Sequence, residues 1–163
     1  MYLVGDIGNT DIKICLFNKN LNLIKKIRIK TNLLNNYYLS RNLKFIKNYN
    51  SEIEKVLICS VVPLAYKKIK KFIEKSIKVE CNELKQLKLN NFLKIRVNKK
   101  QIGSDRLANA ISAIDKKRNY IVIDFGTATN FDVVIKDNYI GGIIAPGVNL
   151  SLSTLSDKAS LIP

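Results

Sequence analysis

Two matching stretches decide the fold of this chain, YLVGDIG at residues 2–8 and YIVIDFG at residues 120–126. Each is an apolar strand that runs into an aspartate and then into a glycine-containing turn, Asp6–Thr10 in the first copy and Asp124–Ala128 in the second. After a slip of one residue, the apolar alternation that follows each turn matches as well, which predicts a returning antiparallel strand in both copies. The sequence therefore predicts an α/β protein that contains two structural repeats.

The two turns have the residue types that bind phosphate. Glycine lets the backbone approach an anion closely, Thr10, Thr127 and Thr129 add hydroxyl donors, and an aspartate at a strand end can bind the metal of a nucleotide. A single Asp-x-Gly is more often a plain hairpin turn, but two matched copies favour a clamp on the phosphates of ATP. Neither GxxxxGK[ST] nor GxGxxG occurs, so the P-loop and Rossmann modes have no residues to rest on.

Hydrophobic spacing predicts the elements between and after the repeats. Strands are expected at residues 21–29, 56–62, 93–97 and 139–144, and helices at 33–48, from Pro63, from Gly103-Ser104 and at 149–161. The helix after Pro63 carries many lysines with few aromatic residues among them, which is more typical of a solvated face than of a nucleic-acid surface.

Composition excludes several classes of function. The chain has 163 residues, 47% of them hydrophobic, and no apolar run reaches the length of a membrane span, so a globular cytoplasmic protein without membrane attachment is expected. Cys15, Cys59 and Cys81 are too few and too dispersed for a disulfide framework and are interpreted as reduced core thiols. The absence of histidine leaves proton transfer to a carboxylate.

The net charge of +15 would attract any polyanion, but charge alone does not select one. Compositional bias towards Lys, Asn and Ile is the favoured explanation of this charge, and nucleic-acid binding is not favoured.

Four motifs in order resemble those of type III pantothenate kinases. They are DIGNT at residues 6–10, GSDR at 103–106 followed by Ala108-Asn109, DFGTAT at 124–129, and Gly141-Gly142 leading to Pro146-Gly147. The resemblance implies the fold of acetate and sugar kinases, heat-shock 70 proteins and actin, in which two ribonuclease-H-like domains close on ATP. It also implies ATP-dependent phosphorylation of pantothenate to 4'-phosphopantothenate, the first step of coenzyme A biosynthesis, by a cytoplasmic homodimer.

The resemblance also implies which residues bind the nucleotide and the metals. The nucleotide-binding positions would be Asp6, Ile7, Gly8, Asn9, Thr10, Asp11, Ile12 and Lys13 of the first turn, and Thr127 of the second. Asp6 would lie near Mg²⁺, and Asp124 would bind a monovalent cation, K⁺ or NH₄⁺. A second cation is physically sensible there because it offsets the charge of the phosphates.

The substrate segment implied by the resemblance is Gly103, Ser104, Asp105 and Arg106. Asp105 would accept the proton of the primary hydroxyl of pantothenate, and Arg106 would be an anion-binding partner. From the residues alone, Ser104 could instead cap a helix while Asp105 complements its dipole, and Arg106 could belong to a surface ion pair. Gly141-Gly142 could be either a turn between strands or a point of close ligand approach.

The expected domains are residues 1–117, a first ribonuclease-H-like domain, and residues 118–163, the start of a second that is incomplete. Arg96 and Lys99 stand where the family usually has a substrate-lining tyrosine and a proline, so the substrate contact is expected to differ there. Family chains continue well beyond Pro163, which indicates a fragment or a natural truncation. The alternatives to a pantothenate kinase are a non-catalytic transcriptional regulator resembling the Bvg accessory factor, an inactive fragment, or a kinase of another small molecule.

Overall fold

The computed structural model describes residues 1–158 and has two compact units, Met1–Leu87 and Lys88–Pro163. Both are mixed α/β, as expected from the sequence. The domain boundary predicted between residues 117 and 118 follows the sequence repeat. The two units instead group residues that contact one another, so they do not test that boundary. It stays a prediction.

The first unit is a five-stranded sheet with two α-helices. Its elements are β1 Tyr2–Ile7, β2 Asp11–Phe17, β3 Leu23–Lys30, α1 Asn36–Asn42, β4 Lys55–Ser60, α2 Pro63–Ile77 and β5 Cys81–Glu83. The strand order is β3-β2-β1-β4-β5, with β1 antiparallel to β2 and parallel to β4. Central strand β1 therefore has neighbours on both sides, and Leu3 and Ile7 are fully buried.

Helix α2 covers this sheet with one apolar face. Pro63 occupies the first turn, where its missing N–H has no helical partner to lose. Its buried residues follow helical spacing, and they are Ala65, Ile69, Ile73 and Ile77. The helix ends at Lys78, which adopts the left-handed conformation with φ 53°.

The second unit has a four-stranded sheet and two α-helices. Its elements are β6 Lys94–Ile95, α3 Ser104–Ser112, β7 Asn119–Phe125, β8 Ala128–Ile135, β9 Asn138–Pro146 and α4 Val148–Lys158. The strand order is β6-β9-β8-β7, with β7, β8 and β9 antiparallel in sequence. The helix predicted at 149–161 is confirmed through Lys158, and its last positions lie outside the described residues.

The repeat of two hairpins is confirmed. In the first, the Gly8 N–H donates to the Asp11 carbonyl at 3.0 Å, and in the second the Gly126 N–H donates to the Ala128 carbonyl at 3.0 Å. The second turn is thus one residue shorter, which is the slip that the sequence alignment needs.

Two expectations about the elements need correction. The helix expected at 33–48 is shorter, because Asn35 caps α1 by accepting from the Tyr38 N–H and the chain after Leu43 continues as a 3₁₀ helix, Lys44–Tyr49. Strand β7 is not buried like β1, since it pairs with β8 alone among the described strands. Its Ile121 is 67% exposed.

The cysteines are free thiols, as expected, but they differ in burial. Cys81 is buried, whereas Cys15 and Cys59 are partly exposed. No helix among the described residues has the length and apolar character needed to cross a membrane.

Candidate active site

The first turn places a carboxylate and an ammonium group together at the carboxyl end of β1. Asp6 lies opposite Lys13 in the β1–β2 register, and the Lys13 Nζ is 3.3 Å from the Asp6 Oδ2. Their side chains are 44% and 47% exposed, so the pair adds little to stability and remains accessible to a ligand. Asn9 and Thr10, at the tip of the turn, are exposed as well.

Residues at the end of β3 hold this turn in place. The Thr31 hydroxyl donates to the Gly8 carbonyl at 2.8 Å, and the Thr31 N–H donates to the Thr10 carbonyl at 3.0 Å. Both ends of the turn are therefore tied to the same residue, which restricts the backbone groups that would face a phosphate. Sequence reasoning missed Thr31, because nothing in the local pattern links it to a turn some twenty residues earlier.

Two cations neutralise the second carboxylate of the turn. Arg28 Nη2 lies 2.5 Å from Asp11 Oδ2 and Lys30 Nζ lies 3.0 Å from Asp11 Oδ1, and the Asp11 side chain is only 10% exposed. Hydrogen bonds from Arg28 and then from Lys30 lower the pKa of Asp11 below its ordinary value. Asp11 therefore stays ionised, but the two cations balance its negative charge, so it adds little repulsion towards an incoming anion.

The second turn has a glycine packed directly against it. The Gly147 N–H donates to the Thr127 carbonyl at 3.1 Å. A Cβ at Gly147 would lie 2.2 Å from the Gly126 carbonyl oxygen and 2.6 Å from that of Thr127, distances that no side chain tolerates. The Pro146-Gly147 motif thus has a structural reason, since β9 leads back to the second turn and supports it. Thr127 itself is exposed.

Helix α3 carries the predicted substrate segment in its first turn. Gly103, not Ser104, is the residue at the cap, and Ser104 is buried at 1% exposure, so the alternative in which Ser104 caps the helix is wrong. Asp105 is half-buried, and its Oδ1 accepts from the Arg106 N–H at 2.8 Å. An acidic residue in the first helical turn also complements the helix dipole.

Arg106 forms a buried ion pair rather than a surface one. Its Nε and Nη2 donate to Asp132 Oδ1 at 2.9 and 2.6 Å, and its side chain is 10% exposed. Burial opposes the charge of Arg106, but the hydrogen bonds and charge of Asp132 outweigh it and raise the pKa of the guanidinium. Burial, and then the hydrogen bond to Asp132, raise the pKa of Tyr139 well above its ordinary value. The sequence reading did not include Asp132 or Tyr139.

The two glycines of the third motif lie inside β9, so the alternative of a turn between strands is wrong, and a close approach to a ligand stays a prediction. Gly142 faces Asp132 across the β8–β9 ladder, and a Cβ there would lie 2.6 Å from Arg106 Nη2 and 2.8 Å from Asp132 Oδ1. Gly141 has φ 128°, a conformation that favours glycine. Gly142 makes room for an ion pair, and Gly141 accommodates the irregular strand.

Helix α3 also reaches the carboxylate expected to bind the monovalent cation. The Asn109 Nδ2 donates to Asp124 Oδ2 at 3.0 Å, and Asp124 is partly buried at the end of β7. The structure thus brings Asp124 together with the helix that carries Asp105 and Arg106. Asp6 to Lys13 belong to the first unit and Thr127 to the second.

The donors present fit a hydrated metal rather than a protein-made metal cage. Within residues 1–158, no group of three or more Cys, Asp or Glu side chains could enclose a metal ion. Mg²⁺ usually keeps several waters and takes one or two carboxylates together with substrate phosphates, so a single aspartate at a turn suffices. Asp6 offers such a carboxylate, and Asp124 offers one to the monovalent cation expected there.

Arg96 is held at the end of β6 and is exposed. Its Nε donates to the Asn138 Oδ1 at 2.7 Å, and its backbone N–H donates to the Tyr139 carbonyl at 2.9 Å. The Arg96 side chain therefore has a hydrogen-bond partner of its own at the start of β9.

Comparison with known proteins places these motifs in one family. The family model for type III pantothenate kinase matches residues 2–163. This chain belongs to the type III pantothenate kinase family. A type III pantothenate kinase of Pelagibacter ubique is 55% identical over 163 residues, a match that covers all of this chain and 66% of that relative. The chain thus spans slightly under two thirds of the length of that relative.

Solved structures confirm the fold expected of a type III pantothenate kinase family member. A Campylobacter jejuni protein described as a Baf family transcriptional activator superposes with a TM-score of 0.57 at 20% identity, covering 95% of this chain and 59% of that one. A Porphyromonas gingivalis protein described as an N-acetylglucosamine kinase gives a TM-score of 0.51 at 15% identity, covering 88% and 47%. The likeness concerns the fold alone, which is the α/β fold expected from the sequence.

Proposed function

We propose that this protein transfers the γ-phosphoryl group of ATP to the primary hydroxyl of pantothenate, giving 4'-phosphopantothenate. The observation that carries the proposal is the GSDR segment, which begins helix α3 with Asp105 half-buried in its first turn and with Arg106 anchored in the sheet. Family membership supports the same reaction. The protein would act in the cytoplasm, at the entry to coenzyme A synthesis.

The nucleotide would bind through the two glycine turns. Asp6 to Lys13 would contact the phosphates, with Lys13 supplying positive charge and Asp6 lying near Mg²⁺. Thr127 would contribute a hydroxyl from the second turn. The hydrogen bonds of Thr31 and Gly147 support this role, because they hold the backbone of each turn before any ligand arrives.

Asp105 would be the general base. No histidine exists in the chain, and a carboxylate within reach of the hydroxyl can take its proton as the phosphoryl group transfers in line. Gly103, Ser104 and Arg106 would line the pantothenate site beside it, with Arg106 near the anionic end of the substrate. A monovalent cation, K⁺ or NH₄⁺, at Asp124 would offset phosphate charge when bound.

A homodimer is part of this proposal, because the substrate site of the family is built where two subunits meet. The regulatory alternative draws on the likeness to a protein described as a transcriptional activator, which at 20% identity concerns the fold alone. The presence of Asp6, Asp105 and Asp124 favours the kinase.

The test is ATP consumption with Mg²⁺ and K⁺, in the presence and absence of pantothenate, for the parent protein and an Asp105→Asn variant. We expect pantothenate-dependent turnover that falls by about 10² to 10⁴-fold in the variant, because the base is lost while the phosphate-binding turns are intact. Asp115→Asn is the matched control, since Asp115 lies after α3 and accepts from the Lys117 N–H at 2.8 Å.

Three outcomes would count against this proposal. Turnover with a sugar but not with pantothenate would reject the substrate, and equal rates for Asp105→Asn and Asp115→Asn would reject the base. Nucleotide binding without any turnover would favour the regulator or an inactive fragment.

A further inference from the structure

Asp132 is a buried carboxylate that the proposed reaction does not use. It lies in β8, is 0% exposed, and receives three hydrogen bonds on one oxygen. The donors to Oδ1 are Arg106 Nε at 2.9 Å, Arg106 Nη2 at 2.6 Å and the Tyr139 hydroxyl at 2.5 Å. Among the described residues, its other oxygen, Oδ2, is buried without a hydrogen-bond partner. Burying a carboxylate costs free energy even when it is paired and hydrogen-bonded, so the presence of Asp132 at this position requires an explanation.

The strand opposite is shaped around this pair. Gly142 lies directly across the ladder from Asp132, and a side chain at that position would meet both Arg106 Nη2 and Asp132 Oδ1 within 2.8 Å. Tyr139, also in β9, is 1% exposed and donates its hydroxyl to the same carboxylate oxygen of Asp132. The charged pair therefore has a defined position between α3, β8 and β9, and the guanidinium has little room to move.

Helix α3 is consequently attached to the sheet by two polar contacts on one face. Arg106 and Asn109 are three residues apart, which places them side by side on a helix. Arg106 reaches Asp132 of β8, and Asn109 reaches Asp124 of β7 at 3.0 Å. Asp105 immediately precedes Arg106, and its Oδ1 accepts the Arg106 N–H at 2.8 Å. Any shift of Arg106 would therefore move Asp105 with it.

We propose that Asp132 is a positioning residue, which acts through Arg106 to hold the first turn of α3 and so fixes Asp105 against the phosphoryl acceptor. Tyr139 assists by donating to the same carboxylate oxygen. The consequence for catalysis rests on the proposed function, whereas the restraint on α3 does not. Because reacting groups must be placed closely, a displacement of about 1 Å can lower a rate by about 10²-fold.

The test compares Asp132→Asn and Tyr139→Phe with a matched control, Asp137→Asn, in the full chain. Asp137 lies on the same hairpin and pairs with Lys94 at 3.0 Å, with a side chain that is 27% exposed. Two measurements are made on each variant: backbone hydrogen exchange across residues 103–112, and steady-state kinetics with pantothenate and ATP varied separately.

We expect Asp132→Asn to speed exchange in the first turn of α3 by about tenfold or more, because the charge that holds Arg106 is gone. The kcat falls by about 10²-fold while the KM for ATP is unchanged. Tyr139→Phe shifts both quantities in the same direction by less, since it removes one hydroxyl and retains the ring. Asp137→Asn changes neither quantity.

If the hydrogen-exchange rate in α3 is the same in Asp132→Asn as in Asp137→Asn, the proposal is overturned, whatever the kinetics of the variant. Faster exchange with an unaltered kcat also overturns it, since Asp132 would then support the fold without positioning the base. If Asp132→Asn does not fold, Tyr139→Phe decides by the same criteria. A parent protein without pantothenate-dependent turnover refutes the proposed function alone, and the exchange data still decide whether Asp132 restrains α3.

Discussion

Replacing Gly142 with alanine should destabilise the protein by about 3 kcal/mol, because a side chain has no space at this point of β9. The added Cβ would lie 2.0 Å from the Phe131 carbonyl oxygen, a backbone atom that cannot rotate away. It would also lie 2.6 Å from Arg106 Nη2 and 2.8 Å from Asp132 Oδ1. The methyl group must therefore displace the neighbouring strand, the ion pair, or both.

Opposing effects determine the magnitude. Alanine inside a strand is favoured over glycine by about 0.5–1 kcal/mol from backbone entropy alone. Overpacking costs about 1–3 kcal/mol, and separation of a buried ion pair costs about 3–5 kcal/mol. Partial displacement of the Arg106–Asp132 pair then leaves a net loss of about 3 kcal/mol.

The assay is urea unfolding followed by far-ultraviolet circular dichroism, with two alanine variants for calibration. Gly126→Ala should change stability by about 1 kcal/mol or less, since its Cβ would lie 3.5 Å from the Ala128 carbonyl, an ordinary contact. Gly5→Ala should fall between the two, because its Cβ meets the Ile58 and Ile14 Cδ1 atoms at 2.5 and 2.8 Å, and side-chain tips can rotate. A midpoint for Gly142→Ala as high as that for Gly126→Ala would refute this reasoning.

Two further results are expected. Thr31→Val should destabilise the chain by about 1 kcal/mol and raise the KM for ATP, because the Gly8 carbonyl loses its hydroxyl donor at 2.8 Å. Urea unfolding measures the loss of stability, and steady-state kinetics measure the KM. An unchanged KM would contradict the supporting role of Thr31. Burial raises the pKa of Cys81 to about 11, so at pH 8.5 iodoacetamide should label Cys15 and Cys59 first, as mass spectrometry would show. The thiol of the unfolded chain has a pKa of about 8.5, so below that pH the buried Cys81 thiol makes its full contribution to the free energy of unfolding. This contribution is lost as the pH rises towards 11. Early labelling of Cys81 would contradict its burial.

Much of the fold follows from local pattern. Alternating apolar residues and an Asp-Gly turn specify a hairpin within about fifteen residues, so β1 with β2 and β7 with β8 could be predicted, including the one-residue slip. Pro63 likewise marks the start of α2. These features need no knowledge of distant segments, which is why they were predicted well.

The burial of the second hairpin could not be predicted in this way. Phe131, Val133 and Ile135 match the apolar face of β2, but the buried side chains of β8 are Thr129, Asp132 and Val134. The reason is that α3 packs against β8 and covers the face that carries Asp132. Which face of a strand is covered depends on where a helix from another part of the chain lies.

The sequence by itself determined the two glycine-containing turns and the family, and it proposed Asp105 as the base, because each depends on short motifs whose chemistry is local. The tertiary structure decided that Arg106 is paired with Asp132, that Gly142 makes room for this pair, and that Thr31 holds the first turn. These contacts join residues about 10 to 36 positions apart along the chain. Neither charge nor spacing specifies such pairs until packing brings them together, excludes water and leaves each buried polar group in need of a partner.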